Sequence, residues 1–155
     1  MDALSRIWDL RSGRSILALK GHVKQILSLD FSPDGYTVAT GSEDNSIKIW
    51  DLRKGECTHT IPAHKNIVTQ CKFWKADGNW PVAVEAMDVD GSDDKDNFYQ
   101  RQVLNGSWLV SSSYDGTCKI WSGGDWKLLK SISGLEGKIM CCDASRGMSL
   151  FFILV

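Results

Sequence analysis

Short runs in which apolar residues alternate with polar or small ones recur along most of the chain. Ser46 to Trp50 shows this period of two, which is typical of a strand with one buried face. The other strands predicted for the same unit are Ile26 to Phe31, Tyr36 to Ser42 and Cys57 to Ile61. Turn-forming residues separate the runs, as in the Ser-Pro-Asp-Gly stretch at 32–35. The pattern predicts an all-β fold built from short, sequentially connected strands.

These strands belong to a repeated unit that tryptophan marks. An Ile-Trp pair occurs at Trp8, Trp50 and Trp121, and the first two tryptophans are 42 residues apart. The register extends to other residues. An Asp lies six positions before each of these three tryptophans, and a His or a Leu lies 14 positions after each of them. A period near 40 predicts stacked units of about four strands each. The residues at these offsets are Asp2, Asp44, Asp115, His22, His64 and Leu135.

A unit of this length that opens with Gly-His and ends with Trp-Asp resembles the WD40 repeat, in which each unit forms one four-stranded blade of a β-propeller. The resemblance implies that residues 1–155 form a partial propeller of about three blades, arranged as an open arc. Two nearly whole units are present, with partial units on either side, whereas a propeller closes with about 4 to 8 blades. We therefore expect the chain to be a piece of a longer protein.

In WD40 blades a Trp, a Ser, a His and an Asp form one hydrogen-bonded chain, and the resemblance assigns two such tetrads here. A buried indole needs an acceptor, and a serine of the second strand is the expected relay between indole and imidazole. Asn45 and Gly116, which follow the tetrad aspartates, tolerate the positive φ of a tight turn. The first tetrad is Trp50, Ser42, His22 and Asp44; the second is Trp121, Ser113, His64 and Asp115.

Histidine, aspartate and serine could also indicate a hydrolase triad. A catalytic constellation occurs once, however, whereas this trio recurs at a fixed offset in two consecutive units, which favours a structural role. The five cysteines contain no CxxC pair, and with three histidines they offer no ligand set at zinc spacing. We therefore expect no enzymatic activity, no catalytic residue, no metal site and no cofactor.

An acidic insertion interrupts the later unit. Trp50 and Trp121 are 71 residues apart, 29 more than one period, which places the extra residues near 76–104. Residues 85–96 hold six acids and one lysine, a net charge of −5 in a chain whose formal net charge is −1, so the remainder is mildly basic at +4. Such a composition predicts a disordered loop. It also makes the rest of the chain compatible with an RNA-containing assembly.

A calcium loop is the alternative interpretation of this insertion. Asp88, Asp90 and Gly91 have some of the required residue types. The glycine falls at the fourth position instead of the sixth, however, and no glutamate closes the site. The sequence therefore favours a solvated acidic loop over a calcium site.

The segment 148–155 is an apolar C-terminal tail. Its six consecutive apolar residues, Leu150 to Val155, are far too few to cross a membrane, and the chain has neither a secretory signal nor an 18-residue apolar span. Two interpretations stay open: a second strand of a further unit, or a foreign tail from a misread gene. We expect no membrane partner under either.

A narrower resemblance comes from the segment Thr60 to Thr69, where Ile-Pro-Ala-His replaces the usual Gly-His opening. This segment, together with Ile7 to Arg14, Phe31 to Ser42 and Gly134 to Met140, is similar to the WD40 proteins of the U4/U6 small nuclear ribonucleoprotein, which are pre-mRNA splicing factors. The resemblance implies a scaffold in the nucleus that binds U4/U6 particle proteins within the tri-snRNP, and the U4/U6 snRNA through them. It implies no small-molecule substrate.

The partner-binding residues that this resemblance implies lie beside the Gly-His and Asp turns, on what is called the top face of a propeller. The acidic insertion would then lie on the opposite face and leave the top face free. The expected contact residues are Lys24, Gln25, Glu43, Asn45, Lys65, Asn66, Tyr114 and Lys138.

An alternative class of function also fits the motifs. Trp8-Asp9-Leu10-Arg11 and its copy 42 residues later, ending in Arg53, both satisfy the WDxR pattern of propellers that serve as substrate receptors of cullin-RING ubiquitin ligases. In that interpretation Arg11 and Arg53 contact the adaptor. Arginine is also common at this turn in general, where it pairs with a nearby acid.

Overall fold

The computed structural model describes residues 3–75, 107–134, 136–144 and 151–155, and every regular element in these ranges is a β-strand. β3 inverts the alternation expected of a strand with an apolar buried face, because polar Ser28 and Asp30 are less exposed than Leu27, Leu29 and Phe31. The strands are β1 Leu4–Asp9, β2 Arg14–Lys20, β3 Ile26–Phe31, β4 Thr37–Ser42, β5 Ile47–Asp51, β6 Glu56–Ile61, β7 Val68–Lys75, β8 Ser107–Ser113, β9 Cys118–Ser122, β10 Leu128–Ile132, β11 Cys141–Ala144 and β12 Phe151–Leu154.

The twelve strands form four antiparallel sheets in chain order. Two sheets are complete four-stranded meanders, β3-β4-β5-β6 and β7-β8-β9-β10, and the pairs β1-β2 and β11-β12 lie on either side of them in sequence. The prediction of an all-β fold made of blade-like units, whole in the middle and partial at both ends, is confirmed. The two complete sheets are called the first blade and the second blade below.

Apolar clusters join each sheet to the next one along the chain. The largest combines Ile47 and Ile49 of the first blade with Val68, Phe73 and Trp121 of the second. A second cluster holds Leu19, Val38 and Trp50, and a third holds Val110, Cys118, Ile139 and Cys142. Each sheet therefore buries its faces against its neighbours, which is the arrangement expected when one unit cannot form a core alone.

The first strand of each unit contacts the first strand of the next, so that β3 lies beside β7 and β7 beside β11. Side chains at corresponding positions bridge them: the Ser28 hydroxyl accepts from the Cys71 backbone N–H at 3.0 Å, and the Gln70 side-chain oxygen Oε1 accepts from the Cys142 backbone N–H at 2.9 Å. The packing leaves no space at Gly41, where an added Cβ would lie 2.7 Å from Ser28 Oγ.

The C-terminal residues pair as a strand. β12 lies antiparallel to β11, with Cys142 opposite Ile153. The predicted disordered insertion at 76–104 lies outside the described residues, as do Asp2 and Leu135 of the repeat register. Within the described part of the chain, no helix has the length and apolarity that a membrane crossing requires.

Candidate functional site

The loops that join successive sheets and the turns between second and third strands meet at one edge of the structure. These loops, residues 21–25, 43–46, 62–67, 114–117 and 136–140, are called the top face here. Backbone hydrogen bonds link them: Glu43 N–H donates to Gln25 O at 2.9 Å, and Tyr114 N–H donates to Ile67 O at 3.1 Å. His64 N–H donates to Asn45 O at 3.2 Å, which ties the top face of one blade to that of the next.

A hydrogen-bonded chain runs through the first blade beneath this face. The Trp50 indole N–H donates to Thr40 Oγ1 at 2.9 Å, and Thr40 Oγ1 lies 2.8 Å from His22 Nε2. His22 Nδ1 is 2.7 Å from the Asp44 carboxylate. Because a carboxylate only accepts, Nδ1 carries the proton and Nε2 accepts from the threonine hydroxyl. The chain therefore leads from a buried indole on β5 to the turn that carries Asp44.

The second blade repeats this chain one unit later. The Trp121 indole N–H donates to Ser111 Oγ at 2.9 Å, and Ser111 Oγ lies 2.8 Å from His64 Nε2. His64 Nδ1 is 3.0 Å from the Asp115 carboxylate and 3.1 Å from Thr117 Oγ1. Asp115 also accepts from the Lys65 backbone N–H at 2.9 Å, so the network anchors the loop that enters the second blade.

The serines expected as relays do not hold that position, and the expectation is corrected for both tetrads. Ser42 Oγ instead accepts from the Asp44 N–H at 3.1 Å and donates to Lys24 O at 3.3 Å. Ser113 does the same with Asp115 at 3.1 Å and Asn66 at 3.2 Å. The relays are Thr40 and Ser111.

Strand register explains the correction. Trp50 lies opposite Val38, and a long side chain reaches the diagonal neighbour two positions along, which is Thr40. Trp121 lies opposite Leu109 and reaches Ser111 in the same way. Ser42 and Ser113 lie two residues further along, at the end of the second strand. Thr40, Ser111 and Thr117 are thus the site residues that the sequence analysis missed. Hydroxyl residues lie both eight and ten positions before Trp50 and Trp121, so their spacing alone does not select the relays.

Electrostatics favour the ionised aspartates in both networks. Burial alone raises the pKa of Asp44, but hydrogen bonds from the Ser46 hydroxyl, His22 and two backbone N–H groups outweigh it and lower this pKa to about 2. Burial raises the pKa of Asp115 as well, and hydrogen bonds from Thr117, Lys65 and His64 lower it to about 2. Burial lowers the pKa of His64 against the opposing pull of Asp115. The networks therefore favour a neutral His64 imidazole and ionised Asp44 and Asp115 carboxylates.

These shifts predict how stability depends on pH. The folded-state pKa of His64 lies below 6.5, so the unfolded chain binds its proton first and stability falls as pH drops below about 6.5. The pKa of Asp115 lies at about 2 instead of 3.8, so its contribution is lost between about pH 4 and 2. We expect Asp115→Asn to flatten the acid limb of the curve below about pH 4, measured by urea unfolding from pH 7 to 2.5. An unchanged acid limb would contradict the assignment.

The networks have the residue types of a hydrolase triad without its accessibility. Thr40 and Ser111 are both 0% exposed, and their hydroxyl oxygens already accept from tryptophan. A nucleophile must reach a substrate, whereas these hydroxyls lie inside the sheets. The geometry therefore supports bracing of the top-face turns. Asn45 and Gly116 have φ of 69° and 75° in these turns.

The predicted contact residues lie on the top face around the two networks. Lys24, Lys65, Asn66 and Lys138 are exposed, and the other four are half-buried. Lys138 Nζ lies 5.1 Å from the centre of the Tyr114 ring, which places a cation against an aromatic face between neighbouring loops. Three lysines and one glutamate belong to this set, so the exposed charge of the predicted surface is predominantly positive. The remaining members are Gln25, Glu43 and Asn45.

The two arginines of the WDxR pattern lie at the opposite edge of the sheets. The Arg53 guanidinium makes a two-pronged contact with Asp51, with Nη2 2.8 Å from Oδ2 and Nε 3.1 Å from Oδ1. The Arg53 group also stacks 3.7 Å from the centre of the Tyr36 ring, and hydrogen bonding from Arg53 lowers the pKa of Asp51 to about 2. Arg11 is exposed, and its backbone N–H donates to Asp9 Oδ1 at 2.9 Å.

Among the described residues, no group of three or more His, Cys, Asp or Glu side chains could hold a metal ion. All five cysteines are free thiols, three of them buried. Burial raises the pKa of the Cys71 thiol to about 12, which keeps it protonated and unreactive at neutral pH.

Comparison with known proteins gives a consistent family. The family model described as "WD domain, G-beta repeat" matches residues 13–51, 55–96 and 104–122. Nuclear distribution protein nudF of Aspergillus niger is 29% identical over 161 residues, which cover 91% of this chain and 36% of that protein. Periodic tryptophan protein 2 of Arabidopsis thaliana is 37% identical over 125 residues, covering 81% of this chain and 10% of that protein.

A third relative is polyadenylation factor subunit 2 of Neurospora crassa, which is 33% identical over 78 residues, covering 50% of this chain and 12% of that protein. The chain thus spans 36% of the nudF relative and 10% and 12% of the other two. These relatives differ in the roles that their names describe, and what they share with this chain is the repeat.

Proposed function

The chain belongs to the WD domain, G-beta repeat family, and from that membership we propose that it is a non-enzymatic scaffold whose top face binds protein partners. The observation that carries the proposal is the repeated His–Asp network. In both blades, side chains that could have performed chemistry are buried and hold a turn in place, while the neighbouring loop residues stay exposed. Rigid sheets that position polar loops are typical of binding surfaces.

We further propose that the partners are proteins of the U4/U6 particle in the nucleus, and through them the paired snRNAs. The U4/U6-like segment Thr60 to Thr69 supports this, since it supplies His64, Lys65 and Asn66 to the top face. The exposed lysines Lys24, Lys65 and Lys138 suit an acidic partner or an RNA-containing particle. One relative is named for polyadenylation, which is also a step of RNA processing.

A substrate receptor of a cullin-RING ubiquitin ligase is the second candidate, because one observation favours it. Arg53 is held rigidly by Asp51 and Tyr36, yet 62% of its side chain is exposed at the opposite edge of the sheets. A pre-ordered, exposed guanidinium is a good contact for an adaptor carboxylate. Its two best donors are already used by Asp51, which leaves Nη1 for a partner.

The experiment that tests these proposals is affinity purification of the chain from nuclear extract. We expect U4 and U6 snRNAs and their proteins to be recovered with the wild type. Lys24→Glu with Lys65→Glu should reduce recovery about tenfold, the effect of two lost surface ion pairs of the stronger kind. Lys54→Glu is the control for a charge reversal away from the top face, because this exposed lysine lies in a turn at the opposite edge.

The outcomes separate the candidates. Recovery of a cullin adaptor that is lost in Arg11→Ala with Arg53→Ala would favour the ligase receptor. Equal loss of snRNA in the top-face and Lys54→Glu variants would contradict the top face as the binding surface. Recovery of proteins without snRNA would support the scaffold and refute its assignment to the U4/U6 particle.

A further inference from the structure

Two buried thiols meet where the second blade packs against the sheet that follows it. Cys118 on β9 and Cys142 on β11 are 0% and 1% exposed, and both belong to the apolar cluster that also holds Val110 and Ile139. The two thiol groups are hydrogen-bonded to each other across this contact. The cluster therefore brings together sulfur atoms from two different sheets, with no other side chain between them.

The backbone before and at Cys142 is held at several points, so its thiol has a fixed position. The Gln70 side-chain oxygen Oε1 accepts from the Cys142 N–H at 2.9 Å. Thr69 Oγ1 donates to Ile139 O at 2.9 Å, and the Ile139 N–H donates to Ser113 O at 3.3 Å. Groups of the second blade thus fix the segment 139–142 that leads into β11.

The corresponding contact between the first and second blades has one thiol among the described residues. Ile47 takes the place of Cys118, three positions before the tryptophan of its blade. Cys71 takes the place of Cys142, since a side chain of the preceding first strand accepts from its N–H in the same way. The Cys71 thiol accepts from the Ser28 hydroxyl at 3.4 Å. Facing thiols are therefore a property of the second contact and not of the repeat.

The hydrogen bond between the thiols makes the two sulfur atoms chemically unequal. The Cys118 thiol donates to Cys142 Sγ, which lowers the pKa of Cys142 against the opposing effect of burial. The same contact, together with burial, raises the pKa of the Cys118 thiol. Because the thiolate is the reactive form, Cys142 is the nucleophile of the pair. Cys118 is placed to react with whatever forms on the Cys142 sulfur.

We propose that Cys118 and Cys142 are a redox pair, in which hydrogen peroxide produces an intramolecular disulfide that fastens β11 to the second blade. The Cys142 thiolate attacks one peroxide oxygen, the O–O bond breaks, and a sulfenic acid and hydroxide form. The Cys118 sulfur then attacks the sulfenic sulfur, so that an S–S bond forms and the S–O bond breaks. The hydroxyl group leaves as water with the Cys118 proton. In total, two thiols are oxidised by two electrons and one peroxide is reduced to two waters.

The surroundings of the pair suit this chemistry. Met140 and Cys141, which directly precede Cys142, are exposed, so a small uncharged oxidant has only a short path to the buried sulfur. The Ser112 hydroxyl also reaches the Cys142 thiol, and it stays paired with Thr69 Oγ1 at 2.9 Å when the thiol is consumed. The product, with an S–S bond of about 2 Å, has no S–H donor and fits an apolar cluster.

The disulfide acts on the top face, because β11 directly follows the top-face loop 136–140. This loop carries Lys138, whose Nζ lies 5.1 Å from the centre of the Tyr114 ring of the second blade. A covalent link between β9 and β11 restricts the separation of this loop from that blade. Oxidation therefore stiffens one side of the top face, whichever partner the face binds.

Peptide mapping of the 155-residue chain tests the bond directly. The folded chain is treated with hydrogen peroxide, its remaining thiols are alkylated in urea, and it is digested with trypsin without reductant. We expect a linked pair of peptides that contains Cys118 and Cys142, and tandem fragmentation distinguishes Cys142 from the adjacent Cys141. Dithiothreitol should return both cysteines to free thiols, since thiol–disulfide exchange reverses the bond.

Variants at the other cysteines make the assignment specific. Cys71→Ala is the matched control, because Cys71 holds the corresponding position of the preceding contact and is 2% exposed. The Cys71→Ala chain and the Cys141→Ala chain should keep the disulfide, whereas Cys142→Ala should abolish it. The wild-type peptide map stands without these variants, so the test does not depend on how well each of them folds.

Amide hydrogen exchange of the oxidised and reduced wild type measures the mechanical effect. We expect the amides of 139–142 to exchange at least about tenfold more slowly after oxidation, and those of β4 to be unchanged. The unfolding equilibrium constant from urea titration should fall about a hundredfold, because the cross-link constrains the unfolded chain.

Several results would overturn the proposal. These are a peroxide-treated chain in which both thiols are still alkylated, a Cys142 sulfinic acid beside an alkylated Cys118, and a disulfide that joins Cys118 to Cys71, to Cys141 or to a second copy of the chain. Equal exchange rates at 139–142 in the two redox states would refute the effect on the top face.

Discussion

Trp50→Ala is expected to lower the free energy of unfolding by about 3 to 5 kcal/mol, the usual cost of removing a large aromatic side chain from a core. The indole is 2% exposed and packs with Leu19 and Val38 across the interface between two sheets. It also stands edge-on to the His22 ring, with 6.4 Å between the ring centres. Its loss therefore opens a cavity and leaves the Thr40 hydroxyl without its donor. Urea unfolding followed by far-UV circular dichroism measures the change.

Two further variants make this result specific. Trp50→Phe keeps an aromatic ring in the core and removes the N–H donor together with part of the indole ring system, so a smaller loss than for Trp50→Ala, about 1 to 3 kcal/mol, is expected. Ile16→Ala removes an apolar side chain that is 65% exposed on β2 and should change stability by less than about 0.5 kcal/mol. If Trp50→Ala cost no more than Ile16→Ala, Trp50 would not be part of the core.

Much of this fold follows from local patterns in the sequence. Strand alternation and turn residues predict β3 and β4, and the turn at Asn45 and Gly116 was predicted because both residues accept positive φ, which they have. The repeat period correctly predicts two complete sheets. These features depend on neighbours within a few residues, or on a period that appears twice, and are therefore visible in one sequence.

The relay hydroxyls could not be predicted by the same means. Thr40 and Ser42 both carry a hydroxyl, lie two residues apart, and therefore project from the same face of β4. Which of them meets Trp50 depends on the pairing register between β4 and β5, which places Val38 opposite the indole. Periodicity specifies the face of a strand but leaves its register open. The same ambiguity at Ser111 and Ser113 gave the same error.

The repeated network also shows how residue types that elsewhere form a catalytic triad can hold a turn in place. An Asp–His–hydroxyl chain activates a nucleophile only when the hydroxyl is free to attack, whereas here each hydroxyl is buried and accepts from an indole. The charge of the network lies instead at its outer end, where Asp44 and Asp115 accept from the N–H groups of Val23 and Lys65. The network therefore transfers the rigidity of the sheets to the top-face loops.

The last prediction concerns coupling within the first network. Thr40→Val keeps the shape of the side chain and removes the hydroxyl that accepts from Trp50 and lies 2.8 Å from His22. Both groups are then buried without their partner, at a cost of about 1 to 3 kcal/mol for each. Because Trp50→Phe removes the same indole hydrogen bond, the double variant should lose less than the sum of the two single variants. We expect a coupling energy of about 0.5 to 3 kcal/mol.

Ser42→Ala is the control for this double-mutant cycle of Thr40 and Trp50. Ser42 is as deeply buried as Thr40 and also makes two hydrogen bonds, to Asp44 N–H and Lys24 O, so its removal is destabilising as well. Loss of stability alone therefore cannot identify the relay. Ser42 makes no bond to the indole, however, so Ser42→Ala and Trp50→Phe should be additive within about 0.5 kcal/mol. Coupling of Trp50 to Ser42 and not to Thr40 would refute the assigned register and restore the serine as the relay.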